Sequence, residues 1–234
     1  MKERAILFVL LHFLLTAVAH GAVVDQSQYL LKPDSGGDLI GPENGQILAQ
    51  IVTAGISGAL TGIGLPVAGN GSGTLTLQIE GVSGNLPNGT VLASQNFDGA
   101  NLPIGLPDPS PFVLLILATP VNFSAGEKFA FVLSASSGDF FAVLPGAVGD
   151  TYPGGDAFYQ GQPLPPGQWA PLDSAGPTDL PFETLVEPAP EPGSANLVLM
   201  GCVFALILQT RKRLRNSTRS SFFPSKLRAS APPW

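Results

Sequence analysis

Histidine and cysteine are almost absent from this sequence. Both histidines, His12 and His20, lie in the first twenty residues, and the single cysteine is Cys202. The region between them therefore holds no Ser-His-Asp triad, no Cys-His pair, no zinc site of the usual ligands and no internal disulfide. These absences exclude the commonest hydrolase mechanisms. We expect a protein that is not an enzyme and that needs no cofactor or metal.

Basic residues are also scarce in the middle of the chain. From Val23 to Pro192, only Lys32 and Lys128 oppose sixteen acidic residues, which leaves a net charge of −14. Residues 211–234, by contrast, carry seven basic residues and no acidic one. Because a strongly acidic region repels phosphate backbones, we expect no nucleic-acid partner.

The N-terminal segment is apolar and short. Lys2 and Arg4 precede an apolar run over residues 5–19, and small residues follow it. This layout predicts a secretory signal peptide over residues 1–22, which the Sec export machinery would recognise. A buried N-terminal helix is the alternative, but the run has neither a capping residue nor a polar face.

The C-terminal segment has the layout of a membrane anchor. A Pro-rich linker (187–194) leads into uncharged residues, and a basic cluster follows at Arg211, Lys212, Arg213 and Arg215. As a helix, residues 193–210 would rise about 27 Å, close to the thickness of the hydrocarbon core of a bilayer. Basic residues beside a transmembrane helix favour the cytoplasmic side. We predict a transmembrane helix over 195–210 and a basic cytoplasmic tail over 211–234.

The order of features at this end is also specific. Pro190, Glu191 and Pro192, then an apolar helix, then Arg211-Lys212-Arg213, resemble the PEP-CTERM sorting signal of Gram-negative bacteria. The resemblance implies recognition by an exosortase, a membrane-embedded transpeptidase, and a final location at the cell surface. The chain differs from that family by continuing through residues 216–234. A stiff linker before an ordinary anchor is the alternative reading of the prolines.

The exported region is rich in turns and alternating strands. The chain has 28 glycines and 23 prolines and is 44% hydrophobic, which favours an all-β fold. In Thr74–Glu80, for example, Leu75, Leu77 and Ile79 alternate with polar residues and are expected to face a core. The same alternation over residues 127–136 places Phe129, Phe131 and Leu133 on the face toward the core. Their neighbours are expected to face water. Nine strands are predicted, at residues 47–53, 60–67, 74–80, 90–96, 112–117, 127–136, 140–144, 157–160 and 182–186.

Turn signals separate these strands. They are Glu43-Asn44-Gly45, Asn70-Gly71, Pro87-Asn88-Gly89 and Ala125-Gly126. Nine short strands at this spacing predict a single antiparallel β-sandwich of jelly-roll or Greek-key type over residues 23–186. Residues 54–67, 86–94, 120–136 and 152–159 are also similar to segments of β-sandwich modules in exported bacterial proteins, where one sandwich type is joined to differing C-terminal anchors.

Two groups of residues are candidates for binding a ligand. Asp139, Asp150 and Asp156 flank Gly-rich loops, and clustered carboxylates suit Ca²⁺, although solvated turn aspartates are the simpler alternative. A group of four aromatic residues is a candidate platform for sugar stacking, with core packing as its alternative. These four are Tyr152, Phe158, Tyr159 and Trp169.

Three functional hypotheses follow. The first is a non-enzymatic exported cell-surface or extracellular-matrix protein that is held at the inner membrane until an exosortase sorts it. The second is a carbohydrate- or calcium-binding module that adheres to exopolysaccharide. In the third, a pair of carboxylates hydrolyses glycans, which requires no histidine.

Overall fold

The computed structural model describes the strand-bearing region and a few residues near the C-terminus. The described residues are 21–32, 36–41, 46–105, 112–136, 139–173, 178–189, 201, 204–208 and 211. The compact unit that contains the strands spans His20–Ala189. Within it the fold is almost entirely β-sheet, and the described helical structure amounts to one 3-10 turn at Gly99–Asn101. The all-β prediction is confirmed.

Thirteen strands lie in the described part of this unit. They are β1 (Val23–Gln28), β2 (Asp38–Ile40), β3 (Ile47–Thr53), β4 (Gly58–Leu65), β5 (Val67–Gly69), β6 (Thr74–Ser83), β7 (Leu86–Asp98), β8 (Val113–Phe123), β9 (Lys128–Ala135), β10 (Phe141–Val143), β11 (Ala157–Gln160), β12 (Ala170–Pro171) and β13 (Phe182–Pro188). They form a four-stranded sheet (β1-β13-β4-β8), a three-stranded sheet (β2-β10-β5) and a six-stranded sheet (β12-β11-β3-β9-β6-β7). Neighbouring strands in these sheets pair antiparallel.

The first and last strands of the unit are neighbours. β1 pairs antiparallel with β13, so that Val23 lies opposite Val186 and Gln28 opposite Phe182. The chain therefore enters and leaves the unit at the same end of the four-stranded sheet. β13 is not an edge strand, because β4 pairs with its other side.

All three sheets contribute to one hydrophobic core. From the six-stranded sheet come Leu75, Leu77, Phe129 and Phe131, and the other two sheets add Leu60, Ile63, Leu115, Phe141, Val143 and Phe182. Phe131 packs edge-on against Phe182 at 5.7 Å between ring centroids. The predicted core residues of β6 and β9 are at most 2% exposed, which confirms the alternation. The sheets are thus held together by the apolar faces that the period of two predicts.

The neighbours of these core residues on β9 are not in water, contrary to prediction. Ala130 and Val132 are 0% and 4% exposed and belong to a second apolar cluster on the other face of the six-stranded sheet. Ala49, Ile51 and Phe158 complete it, and Trp169 packs against it. A central strand covered on both faces loses its polar alternation, since both sets of side chains are buried.

Strand bounds were predicted closely at some places and missed at others. The predictions at 47–53 and 157–160 match β3 and β11 residue for residue. The prediction missed β1, β2 and β12, which are short or polar in sequence, and its single strand at 60–67 covers most of β4 but only the first residue of β5. The prediction of a turn at Pro87-Asn88-Gly89 is wrong, because the β6–β7 turn lies at Gly84-Asn85 and Pro87 already pairs with Val82.

Of the three remaining turn predictions, two are confirmed and one falls outside the described residues. The structure confirms Asn70-Gly71 as a bend and Ala125-Gly126 as a turn, with positive φ at both glycines. The turn predicted at Glu43-Asn44-Gly45 lies outside the described residues.

The two predicted membrane segments fall largely outside the described residues. Residues 1–20 of the predicted signal peptide are not described, and Gly21 and Ala22 have no regular structure. From the predicted anchor and tail, residues 201, 204–208 and 211 are helical. Within the described part of the chain, no helix combines the length and the apolar character that a membrane span requires.

Candidate functional site

The residues of the predicted sorting signal mostly lie outside the described residues. This applies to Pro190, Glu191, Pro192, Lys212, Arg213 and Arg215, whereas Arg211 is helical and exposed. The folded unit, however, is described up to the start of the signal. The Ala189 N–H donates to the Ser57 carbonyl at 2.9 Å, so ordered pairing continues to one residue before Pro190.

The loop aspartates occupy two separate places. Asp150 and Asp156 line one small cavity of about 110 Å³, which Lys128 and Asn85 also line. Asp139 lies elsewhere, beside Gly73. Among the described residues, no three His, Cys, Asp or Glu side chains come together as a metal site would require. The Lys128 ammonium, in the same cavity as Asp150 and Asp156, is unfavourable for a bound cation.

The four aromatic candidates also separate. Tyr152 is buried in the main core and meets Phe182 at 5.0 Å between ring centroids, and Tyr159 packs against that core from β11. Phe158 and Trp169 belong to the cluster on the opposite face of the sheet. The alternation of side chains along β11 causes this split, since Phe158 and Tyr159 are consecutive residues. The four rings therefore do not share one surface.

Tyr152 is held in the core by hydrogen bonds as well as by packing. Its hydroxyl accepts from the Thr53 N–H at 3.1 Å and lies 3.2 Å from both the Thr53 carbonyl and the Gln26 Oε1. Burial raises the pKa of Tyr152 to about 12, with smaller contributions from Asp25 and Asp179. A buried, hydrogen-bonded phenol in this position stabilises the fold rather than presenting a surface to ligand.

A buried carboxylate that sequence reasoning missed lies next to Tyr152. Asp179 is 1% exposed. Its Oδ2 accepts from the Tyr152 N–H at 2.8 Å and from the N–H and hydroxyl of Thr151 at 2.9 and 3.1 Å. Its Oδ1 accepts from the Gln50 amide at 3.0 Å, and the Gln50 Oε1 accepts from the Leu180 N–H at 2.8 Å.

This network joins strand β3 to the segment before β13. Burial raises the pKa of the Asp179 carboxyl, although hydrogen bonds from Gln50, Tyr152 and Thr151 act in the opposite direction. Within the described residues no buried side-chain polar atom lacks a partner. We therefore assign Asp179 and Gln50 to the stability of the fold rather than to binding.

Two grooves of similar size are lined in part by residues of β12 or of the segment just before it. One has a volume of about 350 Å³ and is lined by Asp38, Tyr159 and Leu172 among others. Burial raises the pKa of Asp38, an effect that Lys32 opposes and Asp173 reinforces. The groove presents one aromatic ring, one carboxyl and few other polar side chains.

The second groove is on the outer face of the six-stranded sheet, and we call it the Trp169 groove. It has a volume of about 340 Å³. Its lining combines apolar and polar side chains from six segments of the chain. These are Ile47, Gln78, Glu80, Pro87, Asn88, Gly89, Val132, Ser134, Gln160, Gly167 and Trp169. The ligand candidates predicted from the sequence were Asp150, Asp156, Tyr159 and Trp169. Of these, Trp169 alone lines the groove.

A bulge in β7 builds one side of the Trp169 groove. Between Glu80 and Val82 the register shifts, so that Glu80 pairs with Val91 while Val82 pairs with Pro87. Gly89 adopts a φ of 75°, a conformation that favours glycine. Its N–H donates to the Glu80 Oε2 at 3.0 Å, and the Asn88 Oδ1 accepts from the Thr90 N–H at 2.8 Å. The Pro-Asn-Gly sequence that predicted a turn thus forms the bulge beside the groove.

Sequence comparison assigns no family to this arrangement. No protein-family model matches the chain, and no curated protein resembles it significantly in sequence.

Proposed function

We propose that this chain is an exported, non-enzymatic protein of the cell surface or extracellular matrix, sorted through a C-terminal PEP-CTERM-type signal. In this proposal the Sec machinery exports residues 23–186. The apolar segment 195–210 anchors the protein in the inner membrane, with the tail 211–234 in the cytoplasm. An exosortase-like transpeptidase then recognises Pro190, Glu191 and Pro192.

The observation that carries the proposal is where the folded unit begins and ends. Val23 and Val186 are opposite each other in one sheet, and the described hydrogen bonding reaches Ala189, the residue before Pro190. Both ends of the unit thus lie at one end of the sheet, so the segment before Val23 and the C-terminal signal are on the same side of the folded unit during export. A cut at or after Pro190 would remove none of the pairing that holds β13 between β1 and β4.

The finer fold assignment belongs to the same proposal. We infer that the four-stranded and six-stranded sheets are the two layers of a β-sandwich of jelly-roll or Greek-key type. Supporting this, Leu60 and Phe182 from one sheet and Leu77 and Phe131 from the other belong to a single buried cluster. A module of this kind suits a surface protein, because its buried core holds the sheets together without disulfides, and residues 23–186 contain no cysteine.

The chemistry of the extended signal also supports the proposal. Proline and the residue before it resist helix formation, so Pro188, Pro190 and Pro192 favour an extended chain next to the membrane. Proteases and transpeptidases bind extended substrates, and an extended signal enters such a cleft without unwinding.

Charge reversal at the basic cluster tests the proposal. Replacing Arg211, Lys212 and Arg213 by Glu is expected to abolish retention and sorting, because the positive charges fix the cytoplasmic side. The matched control reverses three basic residues further along the tail, Arg219, Lys226 and Arg228, and should leave sorting unchanged. Fractionation of the native cells and surface labelling give the readout. Equal surface display of the two triple variants would refute the proposed signal.

A further inference from the structure

We propose that the Trp169 groove is a binding site for a neutral glycan segment. This goes beyond the proposed export and sorting, neither of which requires the folded unit to bind anything. The site has a floor formed by strands, an aromatic wall, unpaired polar side chains and a single charged group.

The floor of the groove crosses the sheet rather than following one strand. Gln160 of β11 pairs with Ile47 of β3, and Val132 of β9 pairs with Gln78 of β6. Three strand spacings separate β11 from β6, a distance of roughly 14 Å. The floor is therefore long enough for a short oligosaccharide segment lying across the strands.

Trp169 gives the groove its aromatic surface. The ring is partly buried and packs against the cluster of Ala49, Val132 and Phe158, so its position is fixed by the sheet. An indole held in this way offers an apolar face together with a polar N–H. Sugar rings present C–H groups on one face and hydroxyls at the edge, which matches that combination.

Polar side chains without partners face the same space. Within the described part of the chain, the side chains of Gln78, Ser134 and Gln160 form no hydrogen bond with protein, and all three are partly exposed. An amide offers two donor hydrogens and an acceptor oxygen, and a hydroxyl offers both functions. These groups suit a ligand whose edge consists of hydroxyls, each of which also donates and accepts.

Glu80 supplies one fixed acceptor. Its Oε2 accepts from the Gly89 N–H at 3.0 Å, which ties the carboxylate to the β7 bulge. Glu80 is 7% exposed and lines the groove, so its carboxylate is held in place at the wall. A preorganised carboxylate oxygen is a strong acceptor for a sugar hydroxyl.

Charge selects a neutral ligand over an acidic one. Glu80 is the only ionisable side chain in the described lining of the groove, and no basic residue accompanies it. The surrounding region, residues 23–192, carries a net charge of −14. Acidic polysaccharides and phosphorylated ligands would be repelled.

A peptide fits the groove less well than a glycan. Peptides that bind sheets usually add a strand at an exposed edge, where main-chain groups are free. Here the floor lies on the central strands β3 and β9, whose main-chain groups pair with their neighbours on both sides. The floor therefore offers side chains rather than main-chain groups, and its polar side chains are those of Gln78, Ser134 and Gln160.

Tryptophan fluorescence of the full-length protein in detergent provides the test. The chain has only two tryptophans, so Trp234→Phe leaves Trp169 as the single reporter. We expect a saturable fluorescence change with at least one neutral oligosaccharide from a panel of cello-, xylo-, manno- and malto-hexaose. Polygalacturonate and an unrelated decapeptide should give none.

Matched glutamine variants in this background locate the site. Gln160→Ala and Gln78→Ala should each weaken binding about tenfold, the effect of losing one well-placed hydrogen bond. Gln168→Ala is the control, because Gln168 is exposed beside Trp169 but does not line the groove. Circular dichroism confirms that each variant is folded. Trp169→Ala, measured by calorimetry, should abolish binding.

The outcomes decide the proposal clearly. Lack of saturable change with every neutral oligosaccharide would overturn it, as would equal affinity in the wild type and the Gln160→Ala and Gln78→Ala variants. Stronger binding of polygalacturonate or of the peptide would also overturn it. Because the assay needs no export or processing, its result is independent of the sorting experiment.

Discussion

The two faces of the six-stranded sheet are made by the same strands but are completed differently. On the inner face, Leu77, Phe131 and Leu133 are all 0% exposed and meet the opposite sheets. On the outer face, Val132 is buried beneath the second cluster, but its partner Gln78 on β6 is partly exposed at the Trp169 groove. The comparison indicates that the inner face supplies most of the stability, whereas the outer face combines partial burial with open polar surface. The following predictions test this difference, beginning with the largest effect.

Truncation on the inner face should be the most damaging change. Phe131→Ala removes a fully buried ring that contacts Phe182, and the cavity should cost about 3–5 kcal/mol of unfolding free energy. Val132→Ala, one residue along on the outer face, should cost about 1–2 kcal/mol, because fewer buried atoms are removed. Denaturant unfolding of both variants gives the values. A larger loss in Val132→Ala than in Phe131→Ala would reverse the comparison.

Disrupting the polar network around Asp179 should cause the second largest loss of stability. Asp179→Ala removes the acceptor of the donors from Gln50, Thr151 and Tyr152, so these buried donors lose their partner. The expected loss is about 2–3 kcal/mol. Asp150→Ala is the control, since Asp150 is exposed, and it should change stability by less than about 0.5 kcal/mol. Similar losses in the two variants would show that the network adds no stability.

Trp169 should contribute less to stability than the inner-face rings. It is only partly buried, so Trp169→Ala is expected to cost about 1–2 kcal/mol, below the range for a fully buried aromatic residue. Thermal unfolding without ligand measures this. A loss as large as that of Phe131→Ala would mean that the outer cluster is a second main core and not a surface for binding.

A pH titration should give the smallest but most specific effect. Since burial raises the pKa of Asp179, the folded state holds this proton more tightly than the unfolded state does. The contribution of Asp179 is therefore fully present below the ordinary aspartate pKa of about 4 and is lost as the pH rises through the raised value.

Unfolding measured at several pH values isolates that contribution. The stability difference between wild type and Asp179→Ala should be larger near pH 3 and smaller at neutral pH. Partly buried Asp38 titrates in both proteins, so its contribution cancels. A difference that grows toward neutral pH would contradict the sign of the assigned shift.

The core was predictable from sequence because alternation reports burial directly. Leu75, Leu77 and Ile79 are where the pattern on β6 placed them, and β3 and β11 were bounded correctly. β2 and β12 have only three and two residues, too few to establish a period. A bulge and a hairpin turn use the same residues, so Pro87-Asn88-Gly89 gave a misleading signal.

The candidate site was predictable only in part. Trp169 was identified from its residue type, but Gln78, Ser134 and Gln160 come from strands far apart in sequence, and nothing local marks their convergence. Asp179 was missed because its four donors also come from distant segments. One local signal was present: Gln50 is a lone polar residue inside the apolar strand ILAQIVT, which indicates a buried polar partner.

The intact mass of the protein recovered from its native cells tests the central claim most directly, because it reports both ends of the chain at once. The account predicts a chain that begins between residues 20 and 23 and ends close to Pro192, with any added mass at the new C-terminus. Recovery of the uncut chain of 234 residues from the soluble fraction would contradict it.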